Sequence, residues 1–268
     1  MYTKNNIFGT YLKNLHEKDF SSDIPDITKK RTLELINVAI NCCEDWNTAV
    51  DVGGGNGHYS LSLTDKFKNI FLIEPTLHEE HERIQKKHQN YTVIHKLVEE
   101  TELDSKVDFI MLCDLFEHIL HIEEFAQKIS DLQDKGGVVY ILTPNPLFCG
   151  PAIQSEIHNS KIGIYGHERH YFPHEILNIM NPLGYTLIYK AYEELPLRDT
   201  VRRVLRGISR RHKKYSMHYL YRKFVGPIFA LIFRILSPVI QGLVYQSEYR
   251  NRDNQEHAKS VVYIFKKQ

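Results

Sequence analysis

From about residue 28 to residue 190, short apolar runs alternate with longer amphipathic stretches. Thr28 to Cys43 places Leu33, Leu35, Ile36, Val38, Ala39 and Ile40 at helical spacing behind Asp26 and Thr28, both able to cap a helix. Five apolar runs then read as strands: Thr48–Val52, Asn69–Glu74, Tyr91–Ile94, Val107–Cys113 and Gly137–Thr143. Between them Tyr59–Phe67, Thr76–His88 and Ile122–Leu132 have the length and polarity of crossover helices. Strands that are apolar throughout and alternate with helices predict a parallel sheet covered on both faces. Further on, His174–Met180 reads as a helix, Tyr185–Lys190 as a sixth strand and Ser260–Phe265 as a seventh. The pattern predicts an α/β fold with a mostly parallel seven-stranded sheet and a helical insertion between the last two strands.

Composition narrows the class without changing it. A quarter of the 268 residues are charged and 11% are aromatic, which excludes a disordered chain. Cys42 and Cys43 are adjacent, Cys113 and Cys149 stand alone, and there is no C-x-x-C, so a reducing, cytoplasmic setting is expected. The first residues lack the apolar core of a signal peptide. Charge is more informative. The net +1 conceals a segment, Arg198 to Phe224, that carries ten basic residues and one acid, leaving the rest of the chain at −8. Such asymmetry points to an anionic partner for the basic part.

The most specific motif is Asp51-Val52-Gly53-Gly54-Gly55-Asn56-Gly57 at the end of the first strand. Glycines there let the backbone approach a ligand and enter a helical turn whose N–H groups face it. Dinucleotide sites use G-x-G-x-x-G to hold a pyrophosphate. Here the spacing is G-x-G-x-G, and Asp51 stands two residues before it, which suits a ligand with a cationic amino-acid head. Glu74 ends the second strand, where a carboxylate can accept from both hydroxyls of a ribose. The plainer alternative is a tight structural turn beside an ordinary strand-end acid. A metal site is not expected. His78/His81 and His167/His170 have i, i+3 spacing, but neither is H-E-x-x-H and no cysteine pair accompanies them.

With these residues the chain resembles class I S-adenosylmethionine-dependent methyltransferases (domain types 23 and 11), and within them the ubiquinone-biosynthesis-like O-methyltransferase branch. The resemblance covers about residues 45–190 and the last strand. It implies a Rossmann-like three-layer sandwich and S-adenosylmethionine as cofactor. It assigns the cofactor to Asp51, Gly53, Gly54, Gly55, Gly57 and Glu74, with Cys113 and Asp114 bordering the methionine moiety. Lys135 to Pro146 is similar to the family's fifth strand and loop, and Gly166 to Ile176 to its substrate-side segment. One departure stands out: Leu97 occupies the position where the family usually has an acid on the adenine amine, leaving that ring to packing and the Val98 backbone.

Methyl transfer to a hydroxyl is helped by a base near neutral pH. Candidates are His118, His167 and His170, with Arg169 as an anion-binding group and Asn145 on the substrate side; the alternative is that these histidines only pack or hold loops. Thr143-Pro144-Asn145-Pro146 follows the fifth strand and not the fourth, which disfavours nucleobase amine methylation. The division expected is 1–197 plus 258–268 as the catalytic domain and 198–257 as an insertion. Phe224 to Tyr245 has one charge, Arg234, and apolar residues at helical spacing from Val225 to Leu243. A single membrane crossing would strand the seventh strand on the far side, so an interfacial helix beside the basic block is expected, peripheral on an anionic membrane. The expected acceptor is a small molecule, lipid or glycan: a lipid, lipid-linked sugar or surface-glycan precursor. Two other readings stay open: RNA methylation through the basic block, and a non-catalytic adaptor that keeps the fold.

Overall fold

The computed structural model describes residues 30–147, 168–193 and 258–268, together with residues 239–240, 242–247, 249–250 and 253. In chain order the elements are α1 (Lys30–Ile40), β1 (Thr48–Val52), β2 (Asn69–Ile73), α2 (Glu79–Lys87), β3 (Tyr91–Ile94) and β4 (Phe109–Cys113). They continue with α3 (Ile122–Asp131), β5 (Val138–Pro144), α4 (Pro173–Met180), β6 (Tyr185–Glu193) and β7 (Ser260–Lys267).

All seven strands form one sheet in the order β3-β2-β1-β4-β5-β7-β6. Strands β1 to β5 pair in parallel, and β7 runs antiparallel between β5 and β6. The fold is thus the expected three-layer, Rossmann-like α/β sandwich. One face of the sheet is covered by Leu35, Ile36 and Ala39 of α1 and Ile84 of α2, packed on Ala49, Phe109, Met111 and Tyr140. The other is covered by Phe125 and Ile129 of α3 and Ile176 and Met180 of α4, packed on Val50, Ile110, Val139 and Tyr263. From β1 the chain turns toward β2 on one side; from β4 it turns toward β5 on the other. Open parallel sheets bind ligands beyond the carboxyl ends of strands at such a divergence.

Four helices arise where expected, with ends set by local chemistry. Pro173 opens α4, where its missing N–H costs nothing, and the Glu175 carboxylate accepts the Phe172 N–H at 2.8 Å. Tyr59–Phe67 differs. It forms a short 3-10 turn, Ser60–Leu63, in place of a crossover helix. The Ser60, Ser62 and Thr64 hydroxyls donate back to the carbonyls of Gly57, Tyr59 and Leu61, each three residues earlier, at 3.0, 2.7 and 2.9 Å. Hydroxyls that bond the local backbone compete with the i to i−4 ladder.

Of the expected insertion, only its end is described. Residues 242–247 are helical. Val244 is buried, and the Tyr245 hydroxyl donates to Glu34 on α1 at 2.9 Å, while Arg31 holds the other Glu34 oxygen at 2.8 Å. Val239 and Leu243, one turn apart, stay 58% and 59% exposed. The basic block and the rest of residues 198–257 lie outside the described residues. Among those described, no helix is long and apolar enough to cross a membrane.

Ile36 is fully buried between α1 and the sheet. Ile36→Ala is expected to destabilise the fold by about 2–5 kcal/mol through lost burial and a residual cavity. Urea unfolding would show this as a lower midpoint at unchanged slope.

Candidate functional site

The glycine turn follows β1 directly. Gly53, Gly55 and Gly57 have φ of +67°, +56° and +77°, a region that residues with a Cβ rarely adopt. Gly54 is required for a different reason. A Cβ there would lie 2.1 Å from Asp51 Oδ2 and 2.6 Å from a Leu72 methyl carbon. A Cβ on Gly55 would meet nothing within 4 Å, so this face of the turn is open.

Asp51 and Glu74 sit at the carboxyl ends of β1 and β2 and behave differently. Glu74 is buried, and its two oxygens accept the N–H groups of Gly55 at 3.0 Å and Thr76 at 2.9 Å. A carboxylate has about four lone-pair sites, so capacity remains for a further donor. Asp51 is fully buried, and neither oxygen has a hydrogen-bond partner among the described residues. Burial pushes its pKa up to about 7, the Ser60 hydroxyl opposes the shift and the Glu74 charge adds to it.

A second layer braces the turn. The ring of His81 (on α2) bonds the Gly55 carbonyl through Nε2 at 2.7 Å. A carbonyl only accepts, so Nε2 carries the proton and Nδ1 is left as a buried lone pair without a partner. His81 stacks on His95 at 5.3 Å between centroids and meets His78 edge-on at 5.0 Å. Burial lowers the His81 pKa, against the Gly55 bond, and the neighbouring His78 and His95 lower it further. Among the described residues no group of three or more His, Cys, Asp or Glu side chains is arranged for a metal ion.

The remaining expected residues divide. Asp114, just past β4, is exposed and takes φ +51°, with its N–H donating to Leu142 at 2.8 Å. Cys113 precedes it. Burial raises the Cys113 thiol well above its ordinary value, with Asp51, Asp114, Glu193 and Glu117 adding to the shift. Val98 is buried on a 3-10 turn, Val98–Glu100, in the α3-side core. His118 closes the turn Phe116–His118 after β4. The Glu117 carbonyl on that turn accepts the N–H groups of Glu168 and Arg169 at 2.8 and 3.3 Å, which brings the segment bearing His170 beside it. His170 is 9% exposed. His167 lies outside the described residues.

The two residues expected on the substrate side, Asn145 and Arg169, are held by contacts within the fold. The Asn145 side chain is buried, donates to Ala258 at 2.8 Å and accepts the Leu147 N–H at 3.1 Å. Its own N–H donates to Lys259 at 2.7 Å, so it laces the end of β5 to the segment entering β7. The Arg169 guanidinium pairs with Glu175 and lies 5.3 Å above the Tyr171 ring. It lines a groove of about 430 Å³ between α3 and α4, together with Glu123, Gln127 and Asn178.

Periodicity alone did not single out Glu117, Glu193 and Tyr140. Glu117 is 1% exposed and accepts from Thr143 at 3.1 Å. Glu193, at the end of β6, is 1% exposed, and the Thr32 hydroxyl on α1 lies 3.0 and 3.1 Å from its two oxygens. An acid after an apolar strand was the available signal for Glu193; its partner, 161 residues away, was not.

A family model described as "Methyltransferase domain" matches residues 27–190. No curated protein matches the chain. Among solved structures, the Burkholderia thailandensis 1,6-didemethyltoxoflavin-N1-methyltransferase, with bound 1,6-didemethyltoxoflavin and S-adenosylhomocysteine, superposes with a TM-score of 0.61 at 9% identity, covering 100% of this chain and 92% of that one. An S-adenosylmethionine-dependent methyltransferase from Clostridium acetobutylicum gives 0.54 at 12% identity, with 97% and 99% covered. A mycolic acid cyclopropane synthase gives 0.58 at 15% identity, with 89% and 85% covered. At these identities the likeness concerns the fold.

Two predictions come from the turn. Gly54→Ala is expected to unfold the site because its Cβ overlaps Asp51, whereas Gly55→Ala has room and costs only about 1 kcal/mol of backbone strain; thermal unfolding of the two variants checks the order. For pH, native Asp51 keeps a proton up to about 7 while the unfolded carboxyl ionises near its usual 3.8. The native state therefore binds more protons in that window, and this group's contribution to stability falls as pH rises from about 4 to 7. Asp51→Asn is expected to raise the melting temperature at pH 8 and to flatten this dependence, as measured by calorimetric scans across pH.

Proposed function

The chain belongs to the methyltransferase-domain family, and on that premise we propose that it is an S-adenosylmethionine-dependent O-methyltransferase of the ubiquinone-biosynthesis-like branch. The observation that carries the cofactor is the buried Asp51 carboxylate with no partner, beside a glycine turn whose Gly55 face is open. An orphaned buried carboxylate is costly unless a cation completes it. The ammonium of the cofactor's methionine end supplies one, Glu74 accepts from its ribose, and Val98 packs near its adenine. When bound, the cofactor supplies an electrophilic methyl group on a sulfonium.

The residues of the chain do the rest. The acceptor oxygen gains the methyl carbon as the carbon–sulfur bond breaks, the electron pair staying on sulfur, and the hydroxyl proton passes to a base. His118 and His170, held on adjoining segments by the Glu117 carbonyl, are the described candidates; His167 is the third. Positioning of acceptor against methyl carries much of such catalysis.

The acceptor we assign is a lipid, lipid-linked sugar or surface-glycan precursor, met at the cytoplasmic face of an anionic membrane. Support comes from the ten basic residues between Arg198 and Phe224 and from the exposed pair Val239 and Leu243, which continues the apolar stripe of Phe224 to Tyr245. Basic residues near an anionic leaflet contribute about 1 kcal/mol each, and an apolar helix face adds the second signal that stable attachment needs.

Calorimetry with S-adenosylmethionine tests the cofactor. Wild type is expected to bind and Asp51→Ala to lose binding; binding that survives in Asp51→Ala removes Asp51 from the site. Affinity should rise as pH passes through about 7, because the ammonium is held by the ionised carboxylate. Flotation with phosphatidylglycerol-containing vesicles tests the membrane. Wild type is expected in the lipid fraction and a variant with the basic residues of 198–223 replaced by Gln in the soluble one. Recovery of wild type in the soluble fraction overturns attachment.

A further inference from the structure

Resting on the methyltransferase reading, we propose that His81 is a positioning residue for the cofactor: by holding the Gly55 carbonyl it fixes the turn, and through it the Glu74 carboxylate, in the arrangement that receives the ribose. The four glycines of the turn are held in different ways. A Cβ on Gly53 would meet a Leu115 methyl carbon at 2.8 Å, one on Gly54 the Asp51 carboxylate at 2.1 Å, and one on Gly57 the Tyr91 hydroxyl at 2.7 Å. Packing therefore confines these three. A Cβ on Gly55 would meet nothing within 4 Å, so its φ of +56° is left to hydrogen bonds.

Those bonds come from two sides. Before Gly55, the Gly54 carbonyl accepts the Gly57 N–H at 3.0 Å, and the Gly55 N–H donates to Glu74 Oε2 at 3.0 Å. After Gly55, its own carbonyl accepts the His81 Nε2–H at 2.7 Å. The Gly55 N–H is one of the backbone donors that orient the Glu74 carboxylate, the other being that of Thr76. His95, just past β3, closes the circuit. Its Nδ1–H donates to the Glu74 carbonyl at 3.1 Å, and its ring stacks on His81 at 5.3 Å between centroids and 30° between planes. Two stacked imidazoles thus hold the backbone carbonyls of Gly55 and Glu74, the residues assigned to the glycine turn and to the ribose.

The ring is suited to holding and not to proton transfer. His81 is 2% exposed. Its Nε2 is committed to a carbonyl and its Nδ1 is buried without a partner, so neither nitrogen is offered to a substrate. Burial keeps the ring neutral, against the Gly55 bond and the Glu74 charge, and His78 and His95 add to the effect. A neutral donor fixes the carbonyl without placing a charge beside Glu74. A glycine released from this bond regains backbone freedom that ligand binding must then remove, which lowers affinity by roughly tenfold.

The experiment compares wild type with His81→Leu, which removes the donor, and with His81→Gln, whose amide N–H takes the place of Nε2–H. Each is titrated by calorimetry with S-adenosylhomocysteine and with 5′-methylthioadenosine, which keeps the ribose and lacks the amino-acid head. Melting temperatures are measured without ligand. His81→Leu is expected to bind both compounds roughly tenfold more weakly, and His81→Gln to stay within roughly threefold of wild type. Unchanged affinities in His81→Leu overturn the proposal and leave the methyltransferase reading intact, because a merely structural histidine moves the melting temperature alone. An equal loss in both variants overturns the hydrogen-bond assignment. A loss confined to S-adenosylhomocysteine overturns the proposal too, by placing the effect at the amino-acid head. Absence of S-adenosylhomocysteine binding by wild type overturns the methyltransferase reading, and this proposal with it. NMR of wild type carrying isotope-labelled histidine reads the bond without any variant. The His81 ring is expected to be protonated at Nε2 and bare at Nδ1 before ligand is added; the opposite tautomer, or one that forms only with S-adenosylhomocysteine, overturns the proposal.

Discussion

Asp51 is a fully buried ionisable side chain on a central strand, between Leu72 and Met111, with the Ser60 hydroxyl nearby and no hydrogen bond to its oxygens among the described residues. Its position forces much of what lies nearby. The turn above it must contain glycine at 54 because the carboxylate occupies the volume of a Cβ. The turn must then hold its shape by other means, which come from Glu74 through the Gly55 N–H and from His81 through the Gly55 carbonyl. On the proposed function, a carboxylate that is unstable in isolation and a backbone braced from two sides would favour a bound cation. The stability given up at Asp51 is the driving force that a positively charged partner recovers.

The other end of the sheet is organised by paired buried polar groups. Thr32 on α1 holds Glu193 on β6, and Thr143 on β5 holds Glu117 after β4. Each pair crosses between elements: one ties helix α1 to the end of β6, the other ties the turn after β4 to the end of β5. Glu34, two residues from Thr32, takes the Tyr245 hydroxyl from the far end of the insertion. Helix α1 thus touches both the strand-end polar row and the only helical stretch described between β6 and β7.

Much of this was legible in the residues. Strands β2, β4 and β5 showed as nearly uninterrupted apolar runs, because a parallel sheet is buried on both faces and leaves no polar alternation. The glycine turn and Glu74 were visible because backbone conformation and charge at fixed spacing are local properties. Ser60, Ser62 and Thr64 were misleading: their segment has the length and polarity of a crossover helix, yet their hydroxyls bond carbonyls three residues back. The contacts of Asn145 with Ala258 and of Arg169 with Glu175 form only in the folded chain and were not legible in sequence. Tyr140 reads as one more aromatic in a strand.

The strand order has a consequence for how the molecule is built. Strand β6 has no neighbour in the sheet except β7, and β7 is the last strand in sequence. During synthesis β6 would emerge with neither edge paired, and the open edge of β5 would wait beside it while about 66 residues of connection followed. Long-range pairings of this kind are slow and leave strand edges available to wrong partners. The basic and apolar connection is therefore also the stretch of chain that must be synthesised before the sheet can close.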